Sequence, residues 1–270
     1  MDRLISSTKN PKVKQARKLW QRRQRDEQNL FLIEGYRELL RASEGGQPLE
    51  MLFVAPELFL GANETKLIEK LTRRGTELLQ CSERVFRSLS YRDRPDGLLA
   101  IAPKQSRSLE DLKPSETPLF VVAEAIEKPG NLGTIMRSAD AVGVDGVIVC
   151  DRCTDITNPN VVRASVGTLF TLPVVETTTD ETLHWLKERG VKIVASTPSA
   201  QALYTEVDLS GPVAVVVGTE QYGLSERWLE EADLLVRIPM NGHADSLNVA
   251  MATTLLLYEA LRQKTKECVR

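Results

Sequence analysis

The sequence has few of the residue types that most often build metal and disulfide sites. It contains four cysteines and two histidines in 270 residues, which is too few for a disulfide scaffold. Cys150 and Cys153 form one C-x-x-C pair, but no second pair and no suitably spaced histidine follows, and this disfavours zinc binding. We therefore expect free thiols, no metal, and a reducing cytoplasmic environment.

Long apolar runs and two common nucleotide-binding patterns are also missing. No stretch approaches the roughly 20 apolar residues of a membrane-spanning helix, and the basic N-terminus lacks the apolar core of a secretory signal. G-x-G-x-x-G does not occur, and the glycines at 218 and 223 are not followed by Gly-Lys-Ser/Thr. These absences argue against a membrane segment, a nicotinamide-dinucleotide fingerprint and a P-loop.

Positive and negative charges nearly cancel over the whole chain, but they are unevenly distributed along it. The 35 basic and 37 acidic side chains give a net charge of -2. Residues 1–25 hold nine basic side chains against Asp2 alone, a net of +8, so the remaining 26 basic and 36 acidic residues give -10. The nine are Arg3, Lys9, Lys12, Lys14, Arg17, Lys18, Arg22, Arg23 and Arg25. The near-neutral total therefore conceals a basic arm.

The length suggests roughly two domains, and the N-terminal one reads as a small α/β unit. Apolar periodicity predicts a helix over 10–26. Short β-like runs then alternate with helical segments up to residue 101: strands at 31–33, 51–54, 78–79 and 98–101, helices at 36–44 and 63–74. Residues 103–118 are polar and contain three prolines, which predicts a linker between domains at 1–102 and 119–270.

The C-terminal domain is predicted to be a doubly covered parallel sheet. Its strands are continuous apolar runs separated by helical segments, a pattern typical of α/β proteins. We expect strands at 119–123, 147–149, 191–195 and 213–217, and helices at 132–142, 179–189, 224–231 and 246–263. In such sheets the ligand site lies at the carboxyl ends of the strands, which directs attention to the loops after 123, 195, 217 and 238.

Three of these loops carry polar residues that could have either a structural or a functional role. Asn131 is a candidate N-cap for a helix in which Arg137 could face an anion, although a capped helix with a surface arginine is the simpler reading. The loop from Gly218 to Ser225 is, taken alone, an ordinary turn. In the third loop Asp245 or Ser246 could cap the last helix, whereas Asn248 falls inside its apolar pattern and would need a partner if buried.

Taken together, the three loops resemble the SpoU (TrmH) class of the SPOUT superfamily, which are AdoMet-dependent RNA ribose 2′-O-methyltransferases. The resemblance covers residues 119–263, and residues 7–35 also resemble the small ribosomal-protein-like substrate-binding domain of this family. One position departs from the pattern, since Ala244 stands where a branched apolar residue is expected. The motifs are Asn131-x-Gly133 through Arg137 to Gly143, Gly218-x-Glu220-x-x-Gly223-Leu224, and Ile238-Pro239-Met240 followed by Ser246-Leu247-Asn248.

The resemblance implies a fold, a cofactor and a set of site residues. The implied architecture is a trefoil-knotted parallel-sheet α/β domain, assembled as a homodimer with its sites at the subunit interface. AdoMet would contact Thr197, Gly218, Ile238 and Leu247, and the reaction would use Asn131, Arg137, Glu220, Ser246 and Asn248. A guanidinium with a pKa above ~12 is a poor base, so we interpret Arg137 as an electrostatic stabiliser of the target phosphate and the developing alkoxide.

The resemblance also implies an RNA substrate and gives the basic arm a role. Lys12, Lys14, Arg22, Arg23 and Arg25 are predicted to contact RNA phosphates, although a solvated helix face is the alternative. A separate N-terminal domain favours large-subunit (23S-type) ribosomal RNA as the substrate. Two alternatives stay open: a transfer RNA 2′-O-methyltransferase, and a non-catalytic RNA-binding module in ribosome assembly.

Overall fold

The computed structural model describes residues 4–267, with side chains to residue 265. Arg3 of the basic arm and Cys268 lie outside the described residues. The chain divides into two compact units: unit 1 comprises Met1–Gln105 and Asp155–Thr171, and unit 2 comprises Ser106–Thr154 and Leu172–Arg270. Over the described range, no helix is both long and apolar enough to cross a membrane.

Eleven strands and ten α-helices make up the described part of the chain. The strands are β1 (Leu30–Glu34), β2 (Met51–Val54), β3 (Glu77–Gln80), β4 (Leu98–Pro103), β5 (Leu119–Glu124), β6 (Gly146–Cys150), β7 (Val174–Thr177), β8 (Lys192–Ser196), β9 (Ala202–Leu203), β10 (Val213–Val217) and β11 (Leu234–Arg237). The helices are α1 (Pro11–Lys18), α2 (Arg22–Gln28), α3 (Tyr36–Glu44), α4 (Glu64–Thr72), α5 (Glu83–Leu89), α6 (Pro129–Val142), α7 (Pro159–Ala164), α8 (Thr179–Glu188), α9 (Glu226–Glu231) and α10 (Val249–Glu267).

Unit 1 is built on a four-stranded mixed sheet in the order β1-β4-β2-β3. β4 pairs antiparallel with both β1 and β2, while β2 and β3 run parallel. Every residue of β1 is buried, and the apolar side of α1 joins the same core through Val13 and Ala16.

The predicted helix over 10–26 is two helices, because a buried arginine captures the carbonyls at the break. The Arg25 guanidinium donates to the carbonyl oxygens of Leu19 (3.0 Å) and Trp20 (2.9 Å) and to Asp155 Oδ2 (2.8 Å). Gln21, between the helices, is extended. Since the Arg25 side chain is 1% exposed, the prediction that it contacts RNA phosphates is wrong. Its charge instead binds Asp155 and two backbone carbonyls inside unit 1.

Residues 155–171 join unit 1 although they lie between strands β6 and β7 of unit 2 in the chain. Asp155 accepts from Arg25 and from Thr157 Oγ1 (2.6 Å), and the ring of Phe170 stacks on Phe31 at 6.1 Å. The sequence prediction had assigned these residues to the domain at 119–270. It missed their place in unit 1 because the ion pair between Arg25 and Asp155 joins residues 130 positions apart.

Unit 2 contains the predicted parallel sheet, with seven strands in the order β7-β6-β5-β10-β8-β11-β9. The four predicted strands are β5, β6, β8 and β10, and β5, β6 and β10 are buried along their whole length. β7, β9 and β11 escaped prediction because they are short and partly exposed. The α/β class and the parallel sheet are therefore confirmed.

Replacing Arg25 with alanine should destabilise the protein by about 3–5 kcal/mol, because the buried Asp155 would lose its charged partner. Urea unfolding of the full chain followed by circular dichroism measures the change. Arg23→Ala is the matched control, since Arg23 pairs with Glu27 at the surface and should cost less than about 1 kcal/mol. Equal small losses in both variants would contradict this account of the pair.

The same pair should give unfolding a specific acid dependence. Burial raises the pKa of Asp155, but the hydrogen bonds from Arg25 and Thr157 outweigh it and hold that pKa below its ordinary 3.8. A carboxyl with a lowered folded-state pKa stabilises the fold above 3.8 and loses that contribution as the pH falls further. The wild-type free energy of unfolding should therefore decline below pH 3.8 more steeply than that of an Asp155→Asn variant.

Candidate functional site

A cavity of about 520 Å³ opens at the carboxyl ends of β8, β10 and β11, where the parallel-sheet rule predicts it. Its volume is in the range of small-molecule sites. Its walls come chiefly from positions 196–199, 217–224, 238, 240 and 245–247. The four residues predicted to contact a cofactor all line this cavity: Thr197, Gly218, Ile238 and Leu247.

The loop from Gly218 to Gly223 forms one wall of the cavity by folding back on itself. The Thr219 amide donates to the Gly223 carbonyl (2.9 Å), and the Gly223 amide donates to the Thr219 carbonyl (3.1 Å). Gly223 has a φ of 71°, and a Cβ on Gly218 would lie 2.3 Å from the Gly223 carbonyl oxygen. Both glycines of the second motif are thus required by the backbone itself.

A polar cluster connects residues from the three motifs. Glu220 accepts from Asn131 Nδ2 and from Lys128 Nζ. Asn131 Oδ1 accepts from Asn248 Nδ2 at 3.1 Å, so that Asn131 bridges the second and third motifs. Glu220 lines the cavity with its side chain 22% exposed. The cluster therefore presents oriented amide and carboxylate groups at the cavity.

Three of the local predictions at this site are corrected. Asn131 is not an N-cap: Lys128 takes that position and α6 begins at Pro129, because proline is well suited to the first helical position. Asn248 lies before the last helix and caps it, with Oδ1 accepting from the amides of Ala250 (3.0 Å) and Met251 (3.4 Å). Ser246, offered as a possible cap, instead lines the cavity.

Arg137 is not part of this cluster within the chain. It follows Asn131 by six residues on α6, a rotation of about 240° around the helix, and it does not line the cavity. Its side chain is exposed, and it forms no hydrogen bond or ion pair with any residue that the structure describes. Arg137 therefore offers an uncompensated positive charge to a group from outside the chain.

Sequence reasoning missed two residues that shape the site. Glu124, at the end of β5, accepts from the Ser225 amide at 2.9 Å and so anchors the far end of the glycine loop. Lys128 pairs with Glu220. For Glu124 a signal existed, since it is a charged residue that ends an otherwise apolar strand.

The last helix carries an exposed apolar stripe next to the cavity. Met251, Leu255 and Tyr258 of α10 follow each other at spacings of four and three, and are 59%, 40% and 49% exposed. Such spacing places the three on one helix face, and Leu247, which lines the cavity two residues before the helix begins, is 39% exposed. An exposed apolar row of this kind is a candidate interaction surface.

The other basic residues predicted to bind RNA are accessible, unlike Arg25. Lys14, Arg22 and Arg23 are exposed, and Lys12 is partly exposed beside Glu77. Arg22 and Arg23 pair with Asp26 and Glu27 one helical turn later. Such surface pairs are weak and leave the arginines available to phosphates.

Cys150 of the C-x-x-C pair is not a reactive thiol. Cys150 is buried at the end of β6, and burial raises the pKa of its thiol to about 12, so it is protonated at neutral pH. Among the described residues, no group of three or more histidine, cysteine, aspartate and glutamate side chains could hold a metal ion.

Comparison with known proteins assigns both parts of the chain. Residues 118–258 match the SpoU rRNA Methylase family, and residues 10–100 match the MRM3-like substrate binding domain. The 23S rRNA (guanosine(2553)-2′-O)-methyltransferase RlmP of Bacillus subtilis is 32% identical over 254 residues, covering 94% of this chain and 97% of that protein.

Solved structures agree along nearly the whole chain. An AdoMet-bound rRNA methyltransferase from Sinorhizobium meliloti superposes with a TM-score of 0.88 at 34% identity, covering 96% of this chain and 97% of the other. A structure described as an RNA 2′-O ribose methyltransferase has a TM-score of 0.86 at 45% identity, with 97% and 100% covered.

Gly218→Ala should destabilise the protein by about 1–3 kcal/mol, because the added methyl overlaps the Gly223 carbonyl and the loop must shift. Gly130→Ala is the matched control near the same site, since a Cβ there meets nothing within 4 Å. Thermal unfolding compares the two, and hydrogen exchange at the amides of 219–224 locates the change. A tolerated Gly218→Ala with unchanged exchange would refute the requirement for glycine.

Proposed function

Because the chain belongs to the SpoU rRNA methylase family, we propose that it transfers a methyl group from AdoMet to a ribose 2′-hydroxyl of large-subunit ribosomal RNA. The observation that carries this proposal is the meeting of two features at one edge of the sheet. One is the cavity that all four expected AdoMet contacts line. The other is the polar cluster of Asn131, Glu220 and Asn248 beside it.

The residues of the cavity fit AdoMet as a ligand. Gly218 lines the cavity without a side chain, so a ligand can meet its backbone directly there. Thr197, Ile238 and Leu247 supply a hydroxyl and apolar surface around the same space. When bound, AdoMet supplies a methyl group activated by a sulfonium leaving group.

The polar cluster is proposed to orient the ribose. Glu220 fixes the Asn131 amide, and Asn131 fixes the amide of Asn248, so the three side chains hold one another in place. Ser246, at the cavity wall, adds a hydroxyl that can donate to or accept from the nucleotide. Reactants that are already held in the reactive orientation react faster, because they lose less entropy on reaching the transition state.

Arg137 is proposed to stabilise charge rather than to remove the proton. A guanidinium stays protonated at neutral pH, so it can bind the target phosphate and the developing alkoxide at the 2′-oxygen. A phosphate oxygen or water then takes the hydroxyl proton. Arg137 is suited to this role because, within the described residues, no carboxylate compensates its charge.

Arg137 does not line the cavity of its own chain. A homodimer would bring it to the cavity of the partner subunit. We propose that the stripe of Met251, Leu255 and Tyr258 on α10 is the dimer interface and that Arg137 of one subunit lies at the cavity of its partner. Ser138, the next residue of α6, contacts Thr254 of α10 at 2.7 Å, so the helix that carries Arg137 lies against the helix that carries the stripe.

Residues 1–102 are proposed as the RNA substrate-binding domain, with 103–118 as linker and 119–270 as the methyltransferase domain, except that residues 155–171 belong to unit 1. Lys12, Lys14, Arg22 and Arg23 would bind phosphates without regard to sequence, which makes binding salt-dependent. The MRM3-like match at 10–100 supports this assignment. A cytoplasmic location and the trefoil knot are further proposals that follow from the family.

Two other functions are less favoured. A non-catalytic ribosome-assembly module would not need Asn131, Arg137, Glu220, Ser246 and Asn248, all of which are present. Transfer RNA as the substrate is less favoured because the relative RlmP, which matches along both domains, carries a 23S rRNA activity in its name. Mapping of 2′-O-methyl sites in total RNA from a deletion strain separates the substrates.

Arg137→Ala should lower methyl transfer to ribosomal RNA by at least about a hundredfold, because the charge on the alkoxide and phosphate is no longer offset. Its affinity for AdoMet, measured by calorimetry, should stay within a few-fold of wild type. Loss of AdoMet binding in this variant would refute the role assigned to Arg137.

Subunit mixing should show that Arg137 acts across a dimer. Arg137→Ala and Glu220→Ala chains, each inactive alone, should recover about a quarter of wild-type activity when mixed, since half of randomly formed dimers are mixed and each has one complete site. The same mixture carrying Met251→Glu in both chains should sediment as monomers and recover nothing. Dimers without recovery would place Arg137 in its own chain's site.

A further inference from the structure

Unit 1 carries an aromatic and arginine cluster that the methyl-transfer site does not use. The rings of Trp20 and Tyr91 stack with their centroids 5.0 Å apart and their planes 25° apart. The guanidinium carbon of Arg163 lies 5.6 Å from the Tyr91 ring centroid. The other two tryptophans, Trp185 and Trp228, are buried in the core of unit 2. We call Trp20, Tyr91 and Arg163 the stacking platform.

Surface stacks of this kind need support, and the platform has it on each of its three segments. Arg25 holds the carbonyl of Trp20 and, through Asp155, the start of the segment that carries Arg163. The Tyr91 amide donates to Glu34 Oε2 at 3.0 Å. Asn160 Nδ2, on α7, donates to the Tyr91 hydroxyl at 3.1 Å. The platform is thus pre-formed before any ligand arrives.

Tyr91 and Arg163 are open to solvent, whereas Trp20 is partly buried against the core of unit 1 and supports the Tyr91 ring from below. Tyr91 is 50% exposed, and Arg163 is exposed. Arg163 forms no ion pair with any described residue, whereas neighbouring Arg92 is held by Glu38 at 2.6 Å. Exposed Lys18 and Arg22 flank Trp20 in the chain. Planar surface and uncompensated positive charge therefore occur together.

We propose that the stacking platform binds an unpaired nucleotide of the RNA substrate, whose base stacks on the exposed Tyr91 ring and on the Arg163 guanidinium. Proteins recognise single-stranded RNA by stacking bases on aromatic side chains and arginine planes, whereas bases inside a duplex are already stacked. The free charge of Arg163 and the basic residues beside Trp20 suit the attached phosphates. The proposal rests on the proposed function in one respect, namely that the substrate is RNA.

The test compares three RNA probes by fluorescence anisotropy at one salt concentration. They are a labelled single strand of about 12 nucleotides, the same strand with abasic sugars, and the duplex. Wild type should bind the ordinary strand at least about fivefold more tightly than the abasic strand. Tyr91→Leu should lose this difference while binding the abasic strand as wild type does.

Two further variants show whether binding depends on the plane of the Arg163 guanidinium rather than its charge, and on the Tyr91 ring rather than its hydroxyl. Arg163→Lys keeps the charge but loses the plane, so it should weaken binding of the ordinary strand alone. Tyr91→Phe keeps the ring and should bind within about twofold of wild type. Arg73→Lys is the matched control, because Arg73 is an exposed arginine of unit 1 whose partner is Glu69, and it should change nothing.

The outcomes distinguish this proposal from the proposed function. If Tyr91→Leu and Arg163→Lys bind all three probes as wild type does, or weaken the two single strands equally, the platform is not a base-binding site. Methyl transfer to ribosomal RNA by wild type would then still support the function. If wild type binds no RNA probe and methylates no RNA, both proposals fail. Circular dichroism confirms that each variant is folded.

Discussion

Strands that are buried along their whole length leave room for polar chemistry only at their ends, and this constraint organises unit 2. β5 and β10 lie side by side in the middle of the parallel sheet and expose almost nothing. Polar groups therefore collect where the strands stop, at Glu124 after one and at the glycine loop after the other. The cavity forms there because parallel strands bring their carboxyl ends to one edge.

Within that edge, amides and carboxylates determine one another's positions. Asn131 reaches Glu220 and Asn248 at the same time, and Asn248 uses its second amide atom to cap the last helix. A helix cap and a link between the three motifs are thus combined in two asparagines. Arg137 is excluded from this set by helical geometry alone, which is why the proposed mechanism places it in a second subunit's site.

Unit 1 depends on a buried ion pair. Removing a guanidinium and a carboxylate from water costs several kcal/mol for each ion, and Arg25 and Asp155 offset this cost with each other and with two backbone carbonyls. The same contacts end the first helix, position Trp20 and hold residues 155–171. One interaction therefore supports both the fold of unit 1 and the stacking platform.

Local pattern in the sequence determined the α/β class and the four predicted strands of the parallel sheet. The resemblance of its three motifs to a known family implied four cofactor contacts, all of which line the cavity. Continuous apolar runs and glycine spacing are local signals, so they can be read without a structure. Tertiary structure decided what depends on distant pairing: the break in the first helix, the burial of Arg25, the excursion at 155–171 and the caps at Lys128 and Asn248. A pair such as Arg25 and Asp155 joins positions 130 residues apart, and nothing in the residues around either one indicates its partner.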